Sequence, residues 1–235
     1  RQLLQAGGVV MVSSLLPAPL SAFAAEAVAS PADLPLDRVD SFISLTADGR
    51  VTAFNGHVDL GTGIRTALAQ IVADEICVPF DHVTMILGDT QRTPDQGPTI
   101  ASATLQVTSV PLRQAAAQVR HLLTALAAKA FELPAEQLTA AAGQVFVTRN
   151  PGRSLSYAQL ASGQNLHVML DKNVQLNSER QNHYVGRAVP RVDIPAKVSG
   201  GLTYVHDLRL PGMLHGRVVR PPYVGADSSA PLGGG

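Results

Sequence analysis

The chain has 235 residues, of which 46% are hydrophobic and 15% charged, and its 18 basic residues balance its 18 acidic residues. This length and composition predict a folded chain with a sizeable core and exclude a disordered polymer. The zero net charge, the absence of tryptophan and the few aromatic residues argue against a nucleic-acid-binding protein.

Residues 1–25 have the order of an export signal, with Arg1 before an apolar stretch and a small-residue cleavage sequence at Ala22-Phe23-Ala24. The opening letters RQLLQAGG resemble the tail of a twin-arginine signal, so we predict a partial signal of that type. An ordinary secretory signal and a buried N-terminal helix are the alternatives. Pro17 and Pro19 argue against a transmembrane span in the mature chain.

A linker and a β-hairpin are predicted next. Residues 26–38 mix proline, alanine and acidic residues, which is typical of a linker. From Ser41, the stretch SFISLTADGRVTAFNG has two apolar runs separated by Ala47-Asp48-Gly49, a hairpin signal. The sequence HVTMILGD at residues 82–89 predicts a further strand.

Two longer helices are predicted from apolar spacing and composition. After Gly61 and Gly63, apolar residues recur at helical spacing until the chain approaches Pro79. Residues 109–133, rich in alanine and leucine, predict the longest helix. Cys77 lies in the first helical run and is expected to be a small buried side chain, because a single cysteine excludes an internal disulfide.

The remainder of the sequence indicates a change in secondary structure and composition. Residues 144–150 predict a strand and residues 153–161 a short helix, whereas short β-rich runs alternate with proline and glycine from residue 183. This shift predicts a domain boundary near residues 175–185. The expected fold class is α/β (α+β), with mixed sheet and helices followed by a β-rich part.

The glycine turn, DLGTG at residues 59–63, has three interpretations. A Rossmann fingerprint explains the strand–turn–helix order and Asp89, 26 residues after Gly63, but Thr66 stands at the third glycine position. A tight turn with a helix cap is the second. The third pairs the turn with GPTIASATLQ, residues 97–106 (the hydroxyl loop), so that backbone N–H and hydroxyl groups hold a phosphate or a pyranopterin.

The stretch GHVDLGTGIRTALAQIVADEICVPFDHVTMILGDTQRTPDQGPTIASATLQV resembles the molybdopterin-binding segment of the large subunit in the xanthine dehydrogenase/aldehyde oxidase family of molybdenum hydroxylases. Many members have Met-Gly-Gln-Gly in the first loop and Thr-Ala-Ala-Ser-x-Ser in the second. The sequence is most similar to the exported bacterial branch that includes the molybdopterin-binding chains of nicotinate dehydrogenase and isoquinoline 1-oxidoreductase.

A second stretch, VGRAVPRVDIPAKVSGGLTYVHDLRLPGMLHGRVVRPP, is similar to the a/b hammerhead domain of the same family. The match is carried by Asp193, Lys197, Gly200, Asp207-Leu208 and Pro211-Gly212-Met213-Leu214. The resemblance implies three successive parts: a molybdopterin-binding segment at 39–150, a connecting segment at 151–182 and a truncated, β-rich hammerhead domain at 183–235.

The resemblance also implies two groups of cofactor-binding residues, Leu60, Gly61, Thr62 and Gly63 on one loop and Ala101, Ser102 and Thr104 on the other. Thr62 stands where many relatives have glutamine, so it keeps one donor but loses the two-point contact of an amide. No catalytic base is expected in this chain, because the family's glutamate lies near the C-terminus of the large subunit. The histidines lack metal-ligand spacing, so no metal ligand is expected either.

Ionisable residues near the glycine turn have ordinary expected roles. Asp74 and Glu75 are expected on a solvated helix face, and Arg65 at the surface with a cofactor phosphate as the alternative. His57 is expected to be a satisfied histidine on the strand before the turn, near enough to influence the cofactor.

The function implied by the resemblance is hydroxylation of an N-heteroaromatic such as nicotinate or isoquinoline, or of an aldehyde, with water as oxygen source. It implies molybdopterin with molybdenum in the cytosine dinucleotide form, a small [2Fe–2S] subunit, and a cytochrome c as electron acceptor. The expected location is the periplasm or the periplasmic face of the inner membrane. This portion alone is expected to be inactive, and the alternative is a truncated remnant without cofactor, which the ending SSAPLGGG favours.

Overall fold

The computed structural model describes residues 34–161 and 167–218. The predicted export signal and most of the predicted linker lie outside these residues. The chain divides into two compact units, with the boundary between Asp193 and Ile194.

The first unit combines strands and helices, which confirms the mixed α/β (α+β) class. Its described strands are β1 (Ile43–Leu45), β2 (Val51–Asn55), β3 (Val83–Leu87), β4 (Leu138–Ala141), β5 (Gln144–Val147) and β6 (Asn150–Ser156). Its described α-helices are α1 (Ile64–Ile76), α2 (Ser109–Phe131) and α3 (Tyr157–Ala161), and a π-helical turn at Thr104–Thr108 (the π turn) leads directly into α2.

The first sheet has the strand order β1-β2-β3 and places the two predicted loops at one edge. The predicted hairpin is confirmed, because β1 pairs antiparallel with β2 through Ile43 and Ala53. Strand β3 pairs parallel with β2, from Val51 opposite Val83, and α1 makes the crossover that a parallel pair requires. The carboxyl ends of β2 and β3 therefore share an edge, from which both loops start.

The second sheet is an antiparallel meander, β4-β5-β6. The predicted strand at 144–150 is confirmed in β5, but residues 153–156 belong to β6, and the short helix begins only at Tyr157. The run from Arg153 to Ser156 pairs with β5 through Ser154 and Leu155, so cross-strand bonding overrides its local helical character. Strand β4 was not expected.

Helices α1 and α2 pack against each other and supply much of the core. Leu68 and Val72 of α1 and Leu112 and Val119 of α2 are completely buried. The alanine-rich composition of α2 suits this position, because small side chains at Ala115 and its neighbours let the helix approach the sheets closely. Both helices agree closely with the predicted ones.

Helix α1 ends at Ile76, and its C-cap is Cys77, which has a positive φ of 59°. This residue is half-buried and caps the helix instead of lying inside it, as the helical pattern had suggested. Burial raises the pKa of the Cys77 thiol, which keeps it protonated.

The solvated-face prediction for Asp74 and Glu75 is wrong, because both are almost completely buried. The carboxylate of Glu75 accepts hydrogen bonds from Arg113 Nε at 2.7 Å and from the backbone N–H of Asn177 at 3.0 Å. The carboxylate of Asp74 accepts the backbone N–H groups of residues 183–185 at distances from 2.7 Å. The chain from residue 174 to 185 therefore covers this face of α1. The two carboxylates accept hydrogen bonds from its backbone N–H groups, which would otherwise lack a partner.

The second unit contains the helix α4 (Ile194–Val198) and a 3₁₀ turn at Val205–Asp207. Within the described residues 183–218 no strand is present, so the expected β-rich character is not seen there. Proline and glycine recur at short intervals in this stretch, and its apolar runs find no partner strand to complete a ladder. The hammerhead assignment stays a prediction. Of the helices that the structure describes, none combines the length and hydropathy of a membrane span.

Candidate cofactor-binding site

The glycine turn depends on two residues with left-handed backbone conformation. Gly61 has a φ of +95° and Gly63 a φ of +81°, values that residues with a Cβ rarely adopt. Gly63 is also the N-cap of α1, so the turn delivers the chain directly into the helix. Leu60 lies before the first of these glycines and Thr62 lies between them, and both residues are exposed.

Three backbone N–H groups at this turn are engaged within the chain, because Asp59 accepts them. Its Oδ1 accepts from the backbone N–H of Gly61 at 2.9 Å and of Gly63 at 3.2 Å, and its Oδ2 accepts from the backbone N–H of Arg65 at 3.1 Å. The carboxylate thus supplies the negative charge that a helix N-terminus favours. The anion at this turn is therefore the chain's own Asp59 carboxylate, whereas the sequence suggested the phosphate or pterin of a ligand.

The same bonds set the charge of Asp59. Burial on its own raises the pKa of this carboxyl, but the backbone N–H groups of Arg65, Gly61 and Gly63 lower it more, so the pKa lies below its usual value. The group is partly exposed, so solvent weakens the effect. Asp59 is ionised at neutral pH.

Replacing Asp59 by alanine is expected to lower the free energy of unfolding by about 1 kcal/mol at pH 7, the usual cost of losing a helix cap. Because the folded pKa is depressed, this contribution is complete above the unfolded pKa near 4 and disappears as the pH falls through the lower folded pKa. Urea denaturation of the wild type and the Asp59→Ala variant at pH 7 and pH 3 measures it. If the difference in free energy of unfolding between the two proteins is larger at pH 3 than at pH 7, the role given to the Asp59 carboxylate is wrong. Asp59→Asn is the uncharged control.

The hydroxyl loop has an unusual backbone conformation near its middle. Ala101 and Ser102 are consecutive non-glycine residues with φ of 51° and 58°. Such pairs are strained and persist only where the surroundings impose them, which is common near binding sites. The π turn follows directly, and π-helical turns are also frequent at functional sites.

Both loops line one cavity of about 590 Å³. Its lining is made of Val58, Leu60, Thr62, Ile64, Ala67, Thr99, Ile100, Ala101, Ser102, Thr104, Leu105 and Gln106. Five of the seven predicted cofactor residues are among these, whereas Gly61 and Gly63 shape the turn without lining the cavity. None of the lining residues is ionisable. Apart from Leu60, the sequence missed the apolar part of the lining, although Ile100 and Leu105 flank the predicted residues of the hydroxyl loop.

The hydroxyl groups of the lining fall into two kinds. Thr99 Oγ1 accepts the backbone N–H of Val58 at 3.0 Å, and Thr104 Oγ1 lies 2.8 Å from His57 Nδ1. By contrast, the side chains of Thr62 and Ser102 make no hydrogen bond with any residue in the described ranges. These two exposed hydroxyls and the exposed side-chain amide of Gln106 are the polar side-chain groups of the lining that remain available to a ligand.

His57 lies below the cavity, and only 1% of its surface is exposed. The expectation of a satisfied histidine is met, because Nδ1 contacts Thr104 and Nε2 lies 3.3 Å from the carbonyl oxygen of Gln96. It follows β2, which ends at Asn55, and does not lie on the strand. Its neighbour Asn55 donates from Nδ2 to the carbonyl oxygen of Thr108 at 3.1 Å. The end of β2 therefore anchors the π turn through two side chains.

Two arginines near the turn do not reach the cavity. Arg65 is half-buried and donates from Nη1 to the carbonyl oxygen of Met85, which ties its side chain to β3. Arg191 pairs with Asp193 at 2.7 Å, and a Cβ on Gly63 would come within 2.9 Å of Arg191 Nε. The φ of Gly63 therefore favours glycine, whereas the flexible Arg191 side chain could move to make room for a Cβ.

The acid of the Rossmann interpretation is also engaged locally. Asp89 accepts from Arg92 Nη2 at 2.6 Å and from the backbone N–H of Gln91 at 2.9 Å. These bonds lower the pKa of Asp89, the Arg92 side chain first. Its carboxylate closes the turn after β3, which gives it a structural role and removes the main support for a ribose contact.

Comparison with known protein families gives one domain description for most of the chain. Residues 21–194 match the model of the molybdopterin cofactor-binding domain. This range includes both loops, the cavity and all six described strands.

Characterised proteins with similar sequences carry related names. The chain is 54% identical over 187 residues to one of the subunits of nicotinate dehydrogenase from Pseudomonas putida, covering 80% of this chain and 16% of that protein. It is 27% identical over 224 residues to the beta chain of isoquinoline 1-oxidoreductase from Brevundimonas diminuta, covering 78% of this chain and 28% of that protein. The chain therefore spans less than a third of the length of either relative.

Among solved structures, quinoline 2-oxidoreductase from Pseudomonas putida 86 is 28% identical, with a TM-score of 0.45. The alignment covers 52% of this chain and 15% of that chain.

Proposed function

The chain belongs to the molybdopterin cofactor-binding domain family, of the xanthine dehydrogenase type, and from this premise we propose that the cavity forms one side of a molybdopterin site. The observation that carries the proposal is the meeting of the glycine turn and the hydroxyl loop around one cavity. Neither loop alone is a specific signal. Their shared edge of the sheet follows from the parallel pairing of β2 and β3.

The residues of the cavity fit a flat, heteroatom-rich ligand. Ligand sites of about 300–1,000 Å³ are usually lined by apolar side chains with a few convergent polar groups. Here Leu60, Ile100 and Leu105 give the apolar walls. The unengaged polar groups are the hydroxyls of Thr62 and Ser102 and the side-chain amide of Gln106. A pterin ring presents two apolar faces and a polar edge, which matches this lining.

The bound molybdenum cofactor supplies the redox chemistry and the transfer of oxygen from water. The part of this chain is to hold and orient that cofactor. Thr62 and Ser102 offer hydrogen bonds from opposite loops, while Leu60 and Ile100 exclude water from the bound edge. Since the lining has no ionisable side chain, we place the catalytic base outside this cavity.

For the whole enzyme we propose hydroxylation of an N-heteroaromatic compound such as nicotinate. The name of the 54% identical relative supports this substrate, and isoquinoline or an aldehyde is supported by the names of more distant relatives. Several relatives are named as subunits, which supports partner chains. A small [2Fe–2S] subunit, a cytochrome c acceptor, the cytosine dinucleotide form and a periplasmic location rest on the family resemblance alone.

Removal of the two free hydroxyls tests the cofactor site. The full chain is incubated anaerobically with molybdopterin, separated by gel filtration, and its retained pterin is measured by fluorescence after oxidation. We expect the wild type to retain pterin and the Thr62→Val/Ser102→Ala variant to bind roughly 30-fold more weakly, since each lost hydrogen bond costs about 1 kcal/mol.

The matched control is Ser154→Ala on β6, which removes an exposed hydroxyl from the other sheet and is expected to change nothing. A wild-type chain that retains no pterin contradicts the proposal and favours the remnant without cofactor. Binding of NAD at micromolar concentration in a parallel titration also contradicts it, and favours the Rossmann interpretation.

A further inference from the structure

A buried hydrogen-bond chain runs from the carbonyl oxygen of Gln96 through the ring of His57 to the hydroxyl of Thr104. His57 Nε2 lies 3.3 Å from the Gln96 oxygen, and His57 Nδ1 lies 2.8 Å from Thr104 Oγ1. His57 and Thr104 are 1% and 7% exposed. Thr104 also lines the cavity, so this chain ends at the ligand face.

The direction of these bonds follows from the acceptor at one end. A carbonyl oxygen has no proton to donate, so the contact at Nε2 requires a proton on that nitrogen. In a neutral imidazole the other nitrogen then has none and accepts. The Thr104 hydroxyl must therefore donate its single proton to Nδ1.

The surroundings of His57 favour the neutral ring that this argument needs. Both contacts of the ring are uncharged groups, and no carboxylate in the described ranges pairs with it. A buried charge without a charged partner is costly, whereas the neutral ring satisfies both nitrogens. The backbone N–H of His57 is bonded to Asn55 Oδ1 at 3.0 Å, which helps fix the position of the residue.

We infer that His57 is a positioning residue that makes the Thr104 hydroxyl an acceptor toward the cavity, so that the site takes an N–H or O–H donor of the ligand at this point. Once Thr104 Oγ1 donates its proton to Nδ1 in this hydrogen bond, the oxygen has only lone pairs to offer a ligand. Thr62 and Ser102 have free hydroxyls that rotate to donate or accept, so Thr104 alone has a fixed direction. The inference rests on the proposed function, where the matching donor is the N–H-bearing edge of the pterin.

The tautomer of His57 is the direct test. The full chain is labelled with ¹⁵N-histidine, and two-bond ¹H–¹⁵N correlations report the protonation of each ring nitrogen. Backbone triple-resonance spectra assign the His57 ring among the seven histidines without any variant. We expect an unprotonated Nδ1 and a protonated Nε2. A proton on Nδ1, in either the other tautomer or the charged ring, overturns the inference.

Two substitutions at Thr104 test the consequence for binding. Thr104→Val has nearly the same shape without a hydroxyl, and Thr104→Ser keeps the hydroxyl. In the ¹⁵N spectrum Thr104→Val is expected to move the His57 Nδ1 signal, whereas Thr139→Val on β4 leaves it unchanged. With molybdopterin as the probe, we expect Thr104→Val to bind about 5-fold more weakly and Thr104→Ser to stay within about 2-fold of the wild type.

The two measurements separate this inference from the proposed function. Retention of pterin together with a protonated Nδ1 disproves the inference and leaves the cofactor site intact. An unprotonated Nδ1 in a chain that retains no pterin supports the fixed direction of Thr104 and disproves the cofactor. Equal binding by wild type and Thr104→Val shows that no ligand donor lies there, and also overturns the inference.

Discussion

Gly56→Ala is expected to displace the hydroxyl loop, to abolish detectable pterin retention and to lower the free energy of unfolding by roughly 2 to 3 kcal/mol. A Cβ at this position would lie 2.2 Å from the carbonyl oxygen of Pro94 and 3.1 Å from the backbone nitrogen of Gln96. Both neighbours are backbone atoms, so the loop itself has to move. The backbone N–H of Gly56 also donates to Gln96 Oε1 at 2.8 Å, a bond that this movement breaks.

The matched control is Gly97→Ala, in the hydroxyl loop that Gly56→Ala is expected to displace. Its Cβ would meet nothing within 4 Å, but its φ of +80° is unfavourable for alanine, so about 1 kcal/mol of destabilisation is expected without displacement. Urea denaturation and the pterin assay measure both variants. Equal effects of the two substitutions contradict the claim that close backbone approach at Gly56 positions the loop.

Glu75→Ala is expected to lower the free energy of unfolding by about 3 kcal/mol, the lower end of the range for breaking a buried ion pair. The lower end applies because Arg113 is 38% exposed and recovers part of its hydration. The substitution also leaves the backbone N–H of Asn177 without its acceptor. Chemical denaturation monitored by circular dichroism measures the change.

Two further variants define the cause. Glu75→Gln keeps an acceptor for the Asn177 N–H but loses the charge, so its effect is expected to be intermediate. Glu136→Ala removes an exposed carboxylate and is expected to fall within about 0.5 kcal/mol of the wild type. A loss at Glu75 no larger than at Glu136 disproves the structural role of this pair.

The elements that the sequence predicted well have local causes. The hairpin follows from the turn Ala47-Asp48-Gly49, and α1 and α2 follow from apolar spacing and composition over many residues. Strand β6 was missed in part because its pairing with β5, not its own residues, decides its conformation. A strand that depends on a partner is poorly defined by its own sequence.

The partners of charged residues were predicted least well. The sequence placed Asp74 and Glu75 on an exposed face, because charged residues usually face solvent. In the structure they accept hydrogen bonds from backbone N–H groups more than 100 residues away. No periodic pattern encodes such a contact. Asp59 was overlooked for the opposite reason, since its partners are near but its function depends on the geometry of a turn.

The candidate site lies between these extremes. Leu60, Thr62, Ala101, Ser102 and Thr104 line one cavity, as the resemblance implied. The resemblance gave no indication of the buried chain that sets the direction of the Thr104 hydroxyl. That direction depends on which atom lies behind a histidine, and so only the folded chain defines it.

The carboxylate of Asp59 has a wider consequence for recognition by this half of the site. The N-terminus of α1 carries its own counter-charge, and the lining of the cavity contains no ionisable side chain. The lining therefore offers a ligand its shape and its hydrogen-bonding groups, and no side-chain charge with which to form an ion pair. Two compounds with the same outline and different net charge meet the same uncharged lining, so we expect the groups that they turn toward the loops to matter most.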